Sequence, residues 1–126
     1  MAKVLGIGGV FFKASDPERL YAWYAKHLGI HRDPDCPVIF PWRHAGDQDK
    51  PGMTVWSLFP KDTDYFGPTN PAFMVNYIVD DIDGMLTALR VEGAQVDDRR
   101  EDSAYGRFAW VTDPEGNRIE LWEPPK

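Results

Sequence analysis

The sequence has few of the features that produce a disulfide framework, a membrane anchor or a polyanion-binding surface. Its single cysteine, Cys36, excludes an internal disulfide, and no basic residue is closer along the chain than Arg32 to activate the thiol. No apolar run approaches the roughly 18 residues of a membrane-spanning helix. Acidic residues outnumber basic ones by 20 to 14, and the net charge of −6 disfavours nucleic acid and anionic membranes as partners.

The N-terminal residues also lack a targeting pattern. Residues 1–10 do not show the charged-then-apolar order of a secretory signal, so we expect a cytoplasmic protein. With 126 residues, the chain is predicted to form a single domain, residues 1–126, that is large enough to bury a core.

In the first half of the chain, the pattern predicts a strand, a helix and further strands. The helix is predicted to begin at Pro17, after the capping residues Ser15 and Asp16, and to end at Gly29. The other predicted segments are a strand over 3–13, a short edge strand within 30–37, a strand over 38–44, a loop over 45–52 and a strand over 53–59. Residues 61–71 are rich in proline and are predicted to be a linker that Tyr65 and Phe66 hold in place.

The second half repeats the first at an offset of 65 residues, which aligns Val10 with Val75 and Asp16 with Asp81. It again predicts a strand, an acidic cap and a helix, now with Gly93 as the stop. Short strands over 94–97, 105–112 and 118–122 follow, with a charged loop over 98–103. The repeat divides the chain into module one, 1–60, the linker, and module two, 72–126.

A turn-forming segment closes the chain. Asp113, Gly116 and Asn117 predict a tight turn, after which Ile119 and Leu121 alternate with polar or aromatic neighbours as in a half-buried strand. If Ile119 and Leu121 face a helix-packed core, Glu120 must lie on the opposite face of the sheet. The alternative is a carboxylate on a solvated strand, which is common.

The segment from Asp113 to Leu121, DPEGNRIEL, resembles the closing hairpin of the vicinal oxygen chelate superfamily, which includes glyoxalase I, extradiol dioxygenases and bleomycin-resistance proteins. The resemblance extends to the doubled modules over nearly the whole chain. It implies an α+β fold in which two βαβββ modules form a curved mixed sheet around a concave cavity, the glyoxalase-like fold.

In metal-bearing members of this superfamily the closing glutamate is a metal ligand, together with one histidine from the first strand of each module. The matching positions here are Glu120, Gly9 and Met74. Glycine has no ligating side chain and a thioether prefers soft metals, so we expect no metal and no other cofactor. His44 ends a strand and is the one histidine that could add to Glu120 in a non-standard site.

The expected cavity is aromatic, because four of the five tryptophans lie on predicted sheet strands. Each tryptophan taken alone fits ordinary core packing equally well. The predicted ligand-binding residues are Trp42, His44, Trp56, Met74, Asn76, Arg107, Trp110 and Trp122.

Two functions follow from the resemblance. The first is a metal-independent protein that binds a small organic ligand, similar to the bleomycin-resistance type. The second is a lyase or isomerase of the glyoxalase kind in which Glu120 acts as a general base or metal ligand, since loss of water around a carboxylate disfavours its charged form. Relatives of this type imply a homodimer.

Overall fold

The computed structural model describes residues 2–33 and 36–126. These residues form two helices and seven strands, which confirms the predicted α+β class. The elements are β1 (Val4–Ala14), α1 (Pro17–Leu28), β2 (Val38–His44), β3 (Asp47–Pro60), β4 (Phe73–Val79), α2 (Ile82–Val91), β5 (Gln95–Ser103), β6 (Gly106–Thr112) and β7 (Arg118–Glu123). The predicted repeat of strand, helix and strands is therefore present.

The chain divides into two compact units, which we call the first unit, residues 9–73, and the second unit, residues 1–8 with 74–126. In the first unit the strand order is β2–β3–β1, with β2 antiparallel and β1 parallel to β3. In the second unit the order is β4–β7–β6–β5, in which only the β4–β7 pair is parallel among the described strands.

Helix α1 begins and ends where the sequence predicts. The Asp16 side chain accepts a hydrogen bond from the Arg19 N–H at 3.2 Å, and Pro17 occupies the first turn, where a missing N–H costs nothing. Gly29 adopts φ 70°, the left-handed conformation that ends many helices.

Helix α2 covers the core of the second unit. Its cap, Asp81, accepts from the Gly84 N–H at 3.0 Å, and Gly93 follows the helix at φ 79°. The buried core beneath the helix consists of Val79, Ile82, Leu86, Ala109, Val111 and Leu121.

Two predicted loops are wrong, because each is largely strand. Residues 98–103 belong to β5, which pairs with β6 after a register shift between Val96 and Arg100. Residues 47–52 belong to β3, so the β2–β3 connection is a short turn at residues 45–46. In both segments, charged or turn-forming residues occupy exposed strand positions. Their composition is typical of a loop, although the backbone is paired with a neighbouring strand.

The short edge strand predicted within 30–37 does not form in the described residues of that segment, where Asp33 and Cys36 make only an isolated bridge. Residues 34 and 35 lie outside the described residues. In the linker, Tyr65 stacks on Phe59 at 5.5 Å and Phe66 is fully buried, which confirms that these aromatics fix the segment. No helix in the described part of the chain has the length and apolarity to cross a membrane.

Candidate functional site

Glu120 lies on the face of the second unit that is opposite α2. Its neighbours Ile119 and Leu121 pack with the core beneath the helix, and successive side chains of a strand point to opposite faces. The conditional prediction from the closing hairpin is therefore confirmed. Glu120 is only 1% exposed, so it is a buried carboxylate and not one on a solvated strand.

Asn76 is a hydrogen-bond partner of Glu120. The two residues are register partners in the parallel β4–β7 pair, and Asn76 Nδ2 donates to Glu120 Oε1 at 2.6 Å. Asn76 is itself 2% exposed, and its Oδ1 has no hydrogen-bond partner among the described residues. Burying a carboxylate is costly unless it receives hydrogen bonds, and the amide offsets part of that cost.

Gly8, in β1, makes room for this pair. A Cβ atom built on Gly8 would overlap Asn76 Oδ1 and would come within 2.8 Å of Ile78 and 2.9 Å of Trp122. The glycine therefore allows the Asn76 amide to pack directly against the backbone of β1. Sequence reasoning did not identify Gly8 as the residue that makes room for Asn76.

Two tryptophans flank Glu120 on the same face. Trp110 is fully buried and is the register partner of Glu120 in the β6–β7 pair. Trp122 stacks on Phe108 with 5.8 Å between ring centroids, and its Nε1–H donates to the Tyr105 carbonyl at 2.8 Å. The structure thus brings together four of the predicted residues: Glu120, Asn76, Trp110 and Trp122.

The prediction of site residues omitted the two arginines that contact Trp110. The guanidinium carbons of Arg99 and Arg118 lie 4.9 Å and 5.2 Å from the Trp110 ring, within cation–π range. Arg118 is buried and pairs with Asp97 at 2.8 Å. The alternation of β7 contains the signal for Arg118, because residues 118, 120 and 122 share one face.

Arg107 is not part of this group. It alternates onto the α2 side of β6, where its Nη1 bonds Asp83 at 3.0 Å. Arg100 bonds the same carboxylate, and this side-chain hydrogen bond lowers the pKa of Asp83. Arg107 also lines a polar cavity of about 680 Å³ that is bordered by Asp81 and Glu123.

The predicted residues of the first unit have two different surroundings. Trp56 lies beneath α1, with its ring centroid 4.9 Å from that of Tyr24 and 5.6 Å from that of Phe12. Trp42 covers Gly52, donates from Nε1 to the Thr54 hydroxyl at 2.9 Å, and lies 5.0 Å from the His44 ring. Their ligand-binding role stays a prediction.

A profile of the glyoxalase-like domain matches residues 9–122, which is most of the chain. The chain belongs to the family of glyoxalase-like domains. No curated protein sequence matches it.

Solved structures of the same fold are described as proteins with different activities. Methylmalonyl-CoA epimerase from Streptomyces coelicolor, solved as a variant with 2-nitronate-propionyl-CoA, superposes with a TM-score of 0.69 at 13% identity, covering 98% of this chain and 100% of that one. The epimerase from Mycobacterium tuberculosis gives 0.59 at 21% identity, with 98% and 90% covered. A structure described as an NAD-dependent benzaldehyde dehydrogenase from Legionella pneumophila gives 0.58 at 11%, with 93% and 98% covered. These similarities establish the fold.

This glyoxalase-like domain does not supply the three-ligand metal set of its metal-bearing relatives. Met74 is 1% exposed and offers a thioether, and a Cβ atom at Gly9 would lie 2.5 Å from the Phe11 ring. Phe11 therefore occupies the space beside the position where a histidine would stand. Among the described residues, no group of three or more histidine, cysteine, aspartate or glutamate side chains is arranged to hold an ion.

Proposed function

We propose that this glyoxalase-like domain binds a small organic ligand, without a metal, at the face that carries Glu120. The observation that supports this proposal is the buried Glu120–Asn76 pair between Trp110 and Trp122. A binding site typically combines an apolar, aromatic lining with a few polar groups that orient the ligand. Here Trp110 and Trp122 form the aromatic surroundings of the pair, and the pair provides the carboxylate and amide groups.

A ligand-binding role also explains why the chain has a polar pair at two positions where burial costs free energy. A hydrophobic core gains nothing from a buried carboxylate, and replacing such a group with an apolar residue is often neutral or stabilising. Glu120 and Asn76 are nevertheless both buried on a face where their neighbours are aromatic. A requirement to recognise a ligand explains why polar groups occupy these two positions.

The proposal is tested by thermal-shift screening with flat aromatic compounds, glycopeptide antibiotics and thiol conjugates of oxoaldehydes. A ligand that binds only the native state raises its melting temperature. We expect Glu120→Gln to remove or reduce the shift, whereas Glu115→Gln, the same change on the exposed closing turn, leaves it intact. A shift of equal size in wild type and both variants would exclude Glu120 from binding.

Metal independence is tested separately by elemental analysis of protein purified without chelators. We expect a substoichiometric content of divalent ions, because Gly9 and Met74 replace two of the three family ligands. A stoichiometric ion that is present in wild type and lost in Glu120→Gln would contradict this part of the proposal.

A second candidate is an isomerase that removes a proton next to a carbonyl group, with Glu120 as the base. Its support is the buried carboxylate itself, together with the fold shared with proteins described as methylmalonyl-CoA epimerase. Incubation of methylmalonyl-CoA in D₂O tests it, because deprotonation exchanges the α-proton and the NMR signal disappears. Exchange in wild type that Glu120→Gln lacks would favour this candidate over binding alone.

We further propose that the protein is a homodimer, as the family resemblance implies, and that it is cytoplasmic. The support for the homodimer is an exposed group of apolar side chains on β2 and β3 that includes Ile39 and Met53.

A further inference from the structure

A cavity of about 550 Å³ lies in the first unit, at the junction of β1 and α1. Its volume is within the usual range for small-molecule sites. The side chains that decide its chemistry come from the end of β1 and from α1 with its cap: Lys13, Asp16, Arg19, Leu20, Trp23 and Tyr24. None of these residues belongs to the site proposed above.

An exposed aromatic surface forms one wall of this cavity. Trp23 is 48% exposed although tryptophan is a large apolar side chain. Its ring contacts Tyr24 at 5.1 Å and His27 at 5.0 Å between centroids, and Tyr24 packs in turn against Trp56 at 4.9 Å. The Trp23 ring is therefore held by its neighbours while about half of the residue stays accessible, and flat rings stack favourably on such a surface.

Leu20 and Tyr24 extend the apolar part of the cavity. Leu20 precedes Trp23 by three residues in α1, a spacing that places the two side chains on one face of a helix. Both Leu20 and Tyr24 are half-buried, and the Tyr24 ring lies 6.1 Å from that of Phe12. A ring that stacks on Trp23 can therefore also contact aliphatic and aromatic carbon beside it.

The lysine of the cavity directs its charge elsewhere. The Lys13 ammonium donates a hydrogen bond to the Asn70 side-chain oxygen and lies 5.4 Å from the centre of the Phe66 ring. Neither Asn70 nor Phe66 lines the cavity. Long cationic side chains commonly cover apolar surface with their methylene groups while the charged end lies elsewhere, so Lys13 gives the wall its aliphatic part.

The two remaining charges of the lining oppose each other. Asp16 and Arg19 both line the cavity, and the Asp16 carboxylate accepts a hydrogen bond from the Arg19 backbone N–H at 3.2 Å. An anionic ligand would be repelled by the Asp16 carboxylate, and a cationic ligand by the Arg19 guanidinium. Since a charged group also loses hydration when it enters apolar surroundings, a formal charge on the ligand weakens binding here.

We infer that this cavity binds a small, uncharged aromatic molecule, with its ring stacked on Trp23 and its edge against Leu20. The inference goes beyond the proposed function, because it concerns a different unit and a ligand that is recognised without Glu120.

The test is a titration of ¹⁵N-labelled protein with three probes that share one ring system and differ in charge. 1-Naphthalenemethanol is neutral, 1-naphthoate is anionic and 1-naphthylmethylammonium is cationic. We expect the neutral probe to produce a saturable shift of the Trp23 indole N–H signal, and each charged probe to bind roughly tenfold more weakly. The inference is overturned if the neutral probe gives no saturable shift, or if a charged probe binds as tightly as the neutral one.

Two variants test the parts played by Trp23 and Asp16. In Trp23→Leu, followed at the backbone N–H signals of Ser15 and Arg19, the affinity for the neutral probe is expected to fall roughly tenfold because stacking is lost. Asp16→Asn keeps a good cap for α1 and removes the carboxylate, so 1-naphthoate is expected to bind more tightly than to wild type. Unchanged affinity in either comparison contradicts the inference.

Tyr105→Leu is the matched control for Trp23→Leu, since Tyr105 is 77% exposed and lies in the second unit. It is expected to bind the neutral probe as wild type does, and so is Glu120→Gln, which separates this cavity from the site of the proposed function. Loss of the Trp23 shift in Glu120→Gln would overturn the inference. The comparison of the three probes uses wild-type protein and does not depend on the folding of any variant.

Discussion

At the scale of single residues, the position of Glu120 depends on a glycine at the other end of the chain. Gly8 leaves the space that Asn76 needs, and Asn76 donates the hydrogen bond to Glu120. The alternation of β7 is sufficient to predict which face Glu120 occupies. The partner could not be predicted in the same way, because the β4–β7 register that aligns Asn76 with Glu120 is a long-range pairing that local sequence does not encode.

Gly8→Ala is therefore expected to destabilise the protein. The added methyl group would overlap Asn76 Oδ1 and crowd Ile78 and Trp122, so the buried pair or the strand must shift, at a cost of about 1–3 kcal/mol. Urea unfolding measures the change. Gly46→Ala is the control, since a Cβ atom there meets nothing within 4 Å. Equal stability of the two variants would show that the contact at Gly8 is not restrictive.

At the scale of elements, the closing turn is held together by one carboxylate. Asp113 accepts hydrogen bonds at 2.9 Å from the backbone N–H groups of Glu115 and Asn117 and from the Asn117 side chain. Gly116 completes the turn at φ 88°. These hydrogen bonds lower the pKa of Asp113, and the bond from the Asn117 side chain has the largest effect.

The pH dependence of stability follows from the direction of this shift. Because the folded-state pKa of Asp113 lies below the unfolded value of about 3.9, its contribution is present at neutral pH and is lost as pH falls through the folded pKa. We expect Asp113→Asn to be less stable than wild type at pH 7, with a difference that narrows in a urea-unfolding series toward about pH 2. Asp98→Asn, at a carboxylate without a hydrogen bond or ion pair in the described ranges 2–33 and 36–126, is the control. A difference that is constant with pH would refute the role of Asp113.

A helix or strand can be predicted from sequence when the residues that determine its ends act locally. Helix α1 was predictable in both bounds, because Asp16, Pro17 and Gly29 act locally and their capping geometry does not depend on the rest of the fold. Strand β5 was not, because its second half consists of charged residues on an outer strand of its unit. Charges discourage pairing with other chains at such an edge, and they make a strand resemble a loop in sequence.

At the scale of the whole molecule, the resemblance of the closing segment and the doubled modules to a known superfamily predicted the α+β, glyoxalase-like fold, which the family match and the structures of the epimerases confirm. The compact units nevertheless do not begin where the sequence repeat begins. Residues 1–8 belong with residues 74–126, so Gly8 and Asn76 lie in one unit although 67 residues separate them along the chain. The grouping of residues 1–8 with residues 74–126 is a property of the tertiary fold, and a sequence repeat does not predict it.

The predicted homodimer is tested through the exposed apolar side chains of the first unit. Ile39 and Met53 are 43% and 38% exposed and share a face of the β2–β3 pair, since Ile39 is aligned with Val55 and Pro41 with Met53. Apolar groups clustered on a surface commonly mark a protein interface. We expect light scattering coupled to size exclusion to give twice the chain mass of 14.4 kDa for wild type and the single chain mass for Ile39→Asp. Val91→Asp, at an 80% exposed position on α2, is expected to remain dimeric, and a monomeric wild type at every concentration would contradict the homodimer.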